Sequence, residues 1–333
     1  MLFYKSHSMK NILFLSIFLI ALLTGCNSEK KDKIIVTDSS GNINNISVVI
    51  NNELWEGAVG EALRNTLASP VDGLPQEEPL FSLNQMPPQS FEGFVRQNRL
   101  FVKVDSGKAA GFKVFKDPYA HPQMGVVISG QNSQEIVDQI TENSDALIKM
   151  LKATEIKEKQ RRIRKSLKDD NKLEEQFGIS MKFPSAYRYA IEDDNFFWIR
   201  KDIPKGNMEI MVYEVPLNTI DRDTNVVGEI IKMRDSIGKS RIPGRLEGSY
   251  MITEEAYAPY LFNSEIDGKF AYETKGTWEV KNAFMAGPFI NYAVRDTANN
   301  RYIILEGFAF SPASAKRDNM FELEAILKST KIK

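Results

Sequence analysis

Cysteine is almost absent from this chain: Cys26 is the only one in 333 residues. No internal disulfide is possible, and zinc sites built on several cysteines are excluded. Histidine is nearly as scarce, with His7 and His121 alone, so any Ser-His-Asp arrangement would have to use one of these two. Neither sign of charge dominates: 43 basic residues stand against 44 acidic ones, which gives no general attraction to nucleic acid. No Walker loop, Gly-x-Gly-x-x-Gly or Gly-x-Ser-x-Gly occurs, so a phosphate cradle and a nucleophile elbow are both missing, and neither cofactor nor metal is expected. No period of about 20–50 residues recurs, which excludes a solenoid. Long apolar runs are missing too. The best is Ile12 to Leu23, broken only by Ser16, short of the ~20 residues that a spanning helix needs.

What is present begins with that run. Lys10 precedes it, and Leu23-Thr24-Gly25-Cys26 follows at once. A positive flank, a short apolar core and small residues before a cut describe a secretory signal, and the four residues resemble the bacterial lipobox. Cleavage before Cys26 and acylation of its thiol are therefore expected, making residues 1–25 a lipoprotein signal peptide. Two or more acyl chains would anchor the protein stably to a membrane. Met9-Lys10-Asn11 reads more naturally as the start than Met1. Loss of residues 1–25 takes Lys5, Lys10 and His7 and no acid, leaving a net charge of −3. Asn27 and Ser28 follow the cysteine in place of the aspartate associated with inner-membrane retention, which favours the outer membrane, facing the periplasm or the cell surface. Residues 26–45, polar and mixed in charge, read as a flexible tether.

Beyond the tether the pattern is α+β: two domains, each a mainly antiparallel sheet packed with helices, joined by a long charged helix. The first domain, 46–131, has a β-branched run at Ile46–Ile50, then Trp55, Val59, Leu63 and Leu67 at helical spacing. Five prolines between Pro70 and Pro88 impose extended or turning backbone, and strands are expected at Arg99–Asp105, Phe112–Phe115 and Met124–Ile128. Asn132 with Glu135 forms a capping box opening the connector, 132–177, with a break expected at Asp169-Asp170-Asn171. In the second domain, 178–333, strands at 179–184, 196–200, 208–215, 250–253, 270–280, 288–294 and 302–310 enclose a helix at 226–237 and precede another at 314–327.

Two resemblances accompany these patterns. Leu74-Pro75-Gln76-Glu77-Glu78-Pro79-Leu80-Phe81, Phe196-Phe197-Trp198-Ile199-Arg200-Lys201 and Met285-Ala286-Gly287-Pro288-Phe289 resemble an uncharacterised family of Bacteroidetes lipoproteins, a domain of unknown function with no catalytic residue to carry over. Gly178 to Tyr187, Ile304 to Phe310 and Ile326 to Thr330 are similar to the PsbP/Mog1 group, which implies an antiparallel sheet between helices and a habit of binding partners.

Few residues offer chemistry. His121 sits in a loop between Pro118 and Pro122, and the acidic pairs Glu77-Glu78, Glu192-Asp193-Asp194 and Glu254-Glu255 read chiefly as solvated turns. Glu78, held between prolines, is the carboxylate to watch, with His121 as a second loop candidate. Lys157 to Lys168 carries seven basic residues against Glu158 alone. Arg161, Arg162, Arg164 and Lys165 are thus candidates for contact with a polyanion, against the plainer reading of a solvated helix face. The expected role is a membrane-anchored envelope module that binds or helps assemble an envelope protein partner. A carboxylate-dependent glycan hydrolase and a periplasmic carrier of a small apolar ligand are the alternatives.

Overall fold

The computed structural model describes residues 37–222 and 225–333. The signal peptide and the lipidation candidate Cys26 lie outside the described residues. The first half comprises β1 (Thr37–Asp38), β2 (Asn45–Val49), α1 (Asn52–Glu56), α2 (Ala58–Leu67), β3 (Ser82–Met86), β4 (Leu100–Ser106), β5 (Gly111–Lys116), β6 (Ala120–His121), β7 (Met124–Gly130), α3 (Ser133–Glu142) and α4 (Ser144–Ile163). The second comprises α5 (Asn171–Phe177), β8 (Ile179–Ser180), β9 (Arg188–Asp193), β10 (Phe196–Ile203), β11 (Gly206–Pro216), α6 (Val226–Arg241), β12 (Met251–Thr253), β13 (Tyr260–Ile266), β14 (Lys269–Val280), β15 (Ala286–Asp296), β16 (Arg301–Phe310), α7 (Arg317–Leu327) and β17 (Lys331–Ile332).

The α+β class and the two-domain division hold. In the second domain an eight-stranded sheet runs β12-β14-β15-β16-β11-β10-β9, with β13 also on β14, and its pairings are antiparallel. Strands of ten to twelve residues such as β14, β15 and β16 can run so long because hairpins join them directly. One face packs Ile290, Tyr292, Ile303 and Leu305 against Phe177 of α5 and Leu323, Ile326 and Leu327 of α7. The opposite face packs Phe196, Tyr213, Trp278 and Phe308 beneath Ile230 and Met233 of α6.

The first domain departs from expectation. Its five-stranded sheet, β3-β2-β4-β7-β5, is parallel at three junctions and antiparallel only where β5 meets β7. The physical cause is the return path: α1 and α2 carry the chain back along the sheet before β3 enters, and such crossovers give parallel neighbours. β2 and β4 place apolar residues on both faces, with Ile46, Val48, Leu100 and Val102 against α2 and α3, and Val49 and Phe101 against Phe91 on the other side.

Two further boundaries are corrected. The expected tether of 26–45 is part of the fold from residue 37 onward, because β1 pairs in parallel with β6 and the Arg99 guanidinium binds the carbonyls of Gly41 and Asn42. The polar composition read as flexibility is consumed by these backbone bonds. The connector of 132–177 is three helices, broken at Asn143 and again between Ile163 and Asn171. It is packed along its length: Leu147 and Leu151 of α4 belong to the first core, and Ile156 and Ile163 of the same helix to the second. The cap read from sequence is present, since the Asn132 Oδ1 accepts from the Glu135 N–H at 3.0 Å while the Glu135 carboxylate accepts from Gln131 N–H at 2.9 Å.

Candidate functional site

The proline-rich segment after α2 forms a strap that reaches from the first domain onto the second. Val71 N–H donates to the Glu78 carbonyl at 2.9 Å and closes it into a loop. At its tip Gly73 has φ +79°, and a side chain there would stand 2.8–2.9 Å from backbone of Gly276 and Lys275. A residue with a Cβ would be both strained and displaced. At the strap's far end, the Glu78 carboxylate accepts from the backbone N–H groups of Lys316 at 2.7 Å and Arg317 at 2.9 Å. These amides open α7, so a carboxylate from one domain caps a helix of the other and meets its positive dipole end. Arg317 replies by donating to the Pro79 carbonyl and the Ser82 hydroxyl, each at 3.1 Å. Glu78 is thereby committed to holding the domains together, which corrects its reading as a loop reaction site.

Beside the strap lies a cleft of about 800 Å³ walled by both domains. Its wall carries Phe81 from the first domain, Ile148 and Lys152 of α4, and Phe321 and Glu324 of α7; its floor is the margin of the second sheet, with Lys275 and Ile290, and Tyr260 and Phe262 stand at the sheet edge. The register explains the arrangement. Tyr260, Lys275 and Ile290 form one row across β13, β14 and β15, and Phe262, Glu273 and Tyr292 form the next, all on the face that carries α7. The rings of Tyr260 and Phe262 are parallel within 3° at 6.4 Å.

Lys152, Lys275 and Glu324 of this lining belong to a network of five charges that Lys328 and Glu273 complete behind them. Lys152 Nζ stands 2.8 Å from Glu324, Lys328 Nζ 3.1 Å from Glu324 and 3.8 Å from Glu273, and Lys275 Nζ 2.8 Å from Glu273. Burial pushes the Glu324 carboxyl up, but Lys152, Lys275 and Lys328 reverse this and hold it well below the ordinary range. Glu273 is likewise lowered, burial being outweighed chiefly by Lys275. Burial also lowers Lys152, with Lys275 and Lys328 adding repulsion and Glu324 only partly restoring it. The two buried acids are thus ionised acceptors, the reverse of what a proton-donating acid requires.

The other sequence candidates lie apart from this cleft. His121 is exposed on β6 with its Nδ1 3.0 Å from Asp117. Arg161 and Arg162, each half-exposed, both pair with the buried Glu158 at 2.7 Å, and Arg162 also donates to the Gly41 carbonyl. Burial raises Glu158, but Arg161, Arg162 and Arg99 bring it down to about 2. Of the four candidates Arg164 and Lys165, past the end of α4, are exposed and make no ion pair among the described residues, as is also true of Lys157 in the same basic run. The acids at 192, 193 and 254 are likewise engaged, Glu192 by Lys172, Asp193 by Arg241 and Glu254 by Thr277. Sequence reading missed Lys152, Glu273, Lys275 and Glu324. A signal did exist: Ala271, Glu273 and Lys275 alternate on one face of a strand that also carries Tyr272 and Thr274 on the other, charge where a core face was due.

Residues 39–164 match the model of a domain of unknown function, DUF8532, and residues 166–329 match that of another, DUF4837. The chain joins two domains of unknown function. Their junction falls where the chain leaves α4, between the two cores that this helix serves. No curated protein matches the chain. A similar solved structure is LpqN, described as involved in cell envelope biogenesis of Mycobacterium tuberculosis, at 13% identity over 46% of this chain and 82% of that one, with a TM-score of 0.28. No helix among the described residues is long and apolar enough to cross a membrane, and no group of three or more potential ligands for a metal occurs among them.

Proposed function

We propose that the protein is a lipid-anchored binding module of the cell envelope, held by Cys26, probing the space beyond its outer membrane anchor with the cleft between its two domains. The observation that carries this reading is the cleft itself: about 800 Å³, shared by both domains, with aromatic rings at its mouth and buried charges at its floor. Concave interdomain sites with a few convergent polar groups are where ligands are commonly held. The lipobox-like Leu23-Thr24-Gly25-Cys26 and the partner-binding habit of the PsbP/Mog1 group, which the second half resembles, agree with it. A small apolar ligand would suit the size of the cleft but not its ionised floor. A glycan hydrolase needs a protonated acid facing a second carboxylate, and Glu273 and Glu324 are both held ionised. Nucleic acid is not a partner on this reading.

Two measurements test it. Metabolic labelling with a palmitate analogue should mark the protein and lose the label in Cys26→Ser; labelling that persists in the variant would remove the anchor. A benzophenone amino acid placed at Tyr260, at the cleft mouth, should give a discrete photo-adduct in intact cells. The same group at Phe94, 84% exposed on the first domain, should give none. Equal adducts at both positions, or none at either, would remove the cleft as the binding site.

A further inference from the structure

The second sheet ends in two edges that are treated differently. Its β9 edge is guarded by charge: Arg188 pairs with Asp202 at 2.7 Å, Asp193 with Arg241 at 2.5 Å, and Glu192 with Lys172. Charges of this kind are how native sheets prevent pairing with other strands. The β13 edge has no such guard. Its seven residues pair with β14 on one side, no other strand pairs with its outer side among the described residues, and Glu265 is its one charge. Tyr260, Leu261 and Phe262 are 52%, 37% and 38% exposed, and Tyr257 just before the strand is 74% exposed. An edge with unpaired amides and carbonyls and exposed apolar side chains is a template for one more strand.

The cleft lies against this edge. Any strand added to β13 extends the rows Tyr260–Lys275–Ile290 and Phe262–Glu273–Tyr292 outward by one residue each. Alternate side chains of the newcomer would therefore lie beside Tyr260 and Phe262 and over the cleft. Lys152, Lys275 and Glu324 line the cleft there, with Lys328 and Glu273 behind them, three lysines to two glutamates. One positive charge is left over, on lysines whose side chains are 14–27% exposed. Acidic residues Asp72, Glu77 and Asp145 line the rim but are exposed, where solvent and salt weaken them, Asp72 alone of the three acting on Lys275. An added strand would run two strand spacings from β14, about 10 Å, within the combined reach of a glutamate and a lysine side chain.

We propose that the cleft receives an extended segment of another polypeptide bearing a carboxylate, which pairs with β13 through its backbone and directs that carboxylate to Lys275 and Lys152. Backbone bonds supply affinity and the charged floor supplies selection. This rests on the cleft being the binding site and names what enters it.

The test uses the full chain in detergent and the acetylated, amidated heptapeptide Val-Thr-Val-Glu-Val-Thr-Val, with versions carrying glutamine or proline at the centre. The parent peptide is expected to bind and to slow hydrogen exchange of residues 260–266; the glutamine version should bind about tenfold more weakly, the size of one modest ion pair, and the proline version not at all. Phe262→Ser, an exposed change that leaves the core intact, should weaken all versions alike. Lys275→Met should remove the preference for glutamate over glutamine; should Lys275→Met not fold, the less buried Lys152→Met should reduce the same preference. Binding without protection at 260–266, equal binding of the proline version, or glutamate preference that survives both lysine changes overturns the proposal. Absence of peptide binding while the Tyr260 photo-adduct still forms would overturn the peptide as occupant and leave the cleft as the site of a ligand of other chemistry.

Discussion

Single side chains decide more here than their exposure suggests, and Glu78 is the first case. It supplies two acceptors to the opening amides of α7, groups that otherwise lack partners. Glu78→Ala should lower the unfolding free energy by about 1–2 kcal/mol, as loss of a helix cap does, whereas the adjacent and exposed Glu77→Ala should change it by less than about 0.5 kcal/mol; denaturant titration of both compares them directly. Two buried acids set opposite pH dependences. Burial raises Glu209 from 4.5 to about 7, only partly opposed by Arg200 and Trp198. The folded state therefore holds this proton more tightly than the unfolded chain, and stability drains away as pH rises from about 4.5 to about 7. Glu158, lowered to about 2, works the other way: its contribution is complete above about 4.5 and is lost as pH falls toward about 2. Glu209→Gln should flatten the loss between pH 4.5 and 7, gaining about 1–3 kcal/mol at the neutral end. A parallel decline in parent and variant would show that Glu209 ionises freely.

Among elements, those with strong periodicity were legible and those shaped by edges were not. The helix at 226–237 and the strands over 270–280 and 302–310 appear nearly as read, because long amphipathic or apolar runs have one burial solution. Three strands of five residues or more were missed. β3 was hidden among prolines, its SLNQM run having little apolar contrast; β9 and β13 are outer strands, β9 alternating only briefly through Tyr189 and Ile191 with no fully buried residue and β13 exposed along its first four residues. The break at Asn143 carries neither glycine nor proline, and only packing of α3 on one core and α4 across two reveals it. The strap is legible as a loop but not as a clamp. Gly73→Ala should cost more than about 1 kcal/mol through its left-handed backbone and should raise hydrogen exchange over residues 70–80, because its Cβ would push against β14. Unchanged exchange there would mean that the strap does not rest on the sheet in solution.

The molecule as a whole is tied by one helix and one loop. Leu147, Leu151, Ile156 and Ile163 place α4 in both cores, and the buried Arg99–Glu155 pair at 2.5 Å fixes the middle of that helix to the start of β4. Each domain should therefore fail to keep its packing once the other opens. Calorimetry should give a single transition whose calorimetric and van't Hoff enthalpies agree. Two separated transitions would mean that α4 frays at its middle and that each core survives alone.

The class, the division into two α+β domains, the helix cap at Asn132, the antiparallel second sheet and the scarcity of catalytic groups were all readable before folding, because they follow from residue counts and short-range periodicity. Packing in three dimensions was needed to show that Glu78 caps a helix 238 residues away, that Arg161 and Arg162 pair with Glu158, and that Lys152, Lys275 and Glu324 share one cleft. Each of these joins residues from different elements, and charge in a sequence does not say whether its partner is water or another buried side chain. That choice is made by burial, which only the folded chain has.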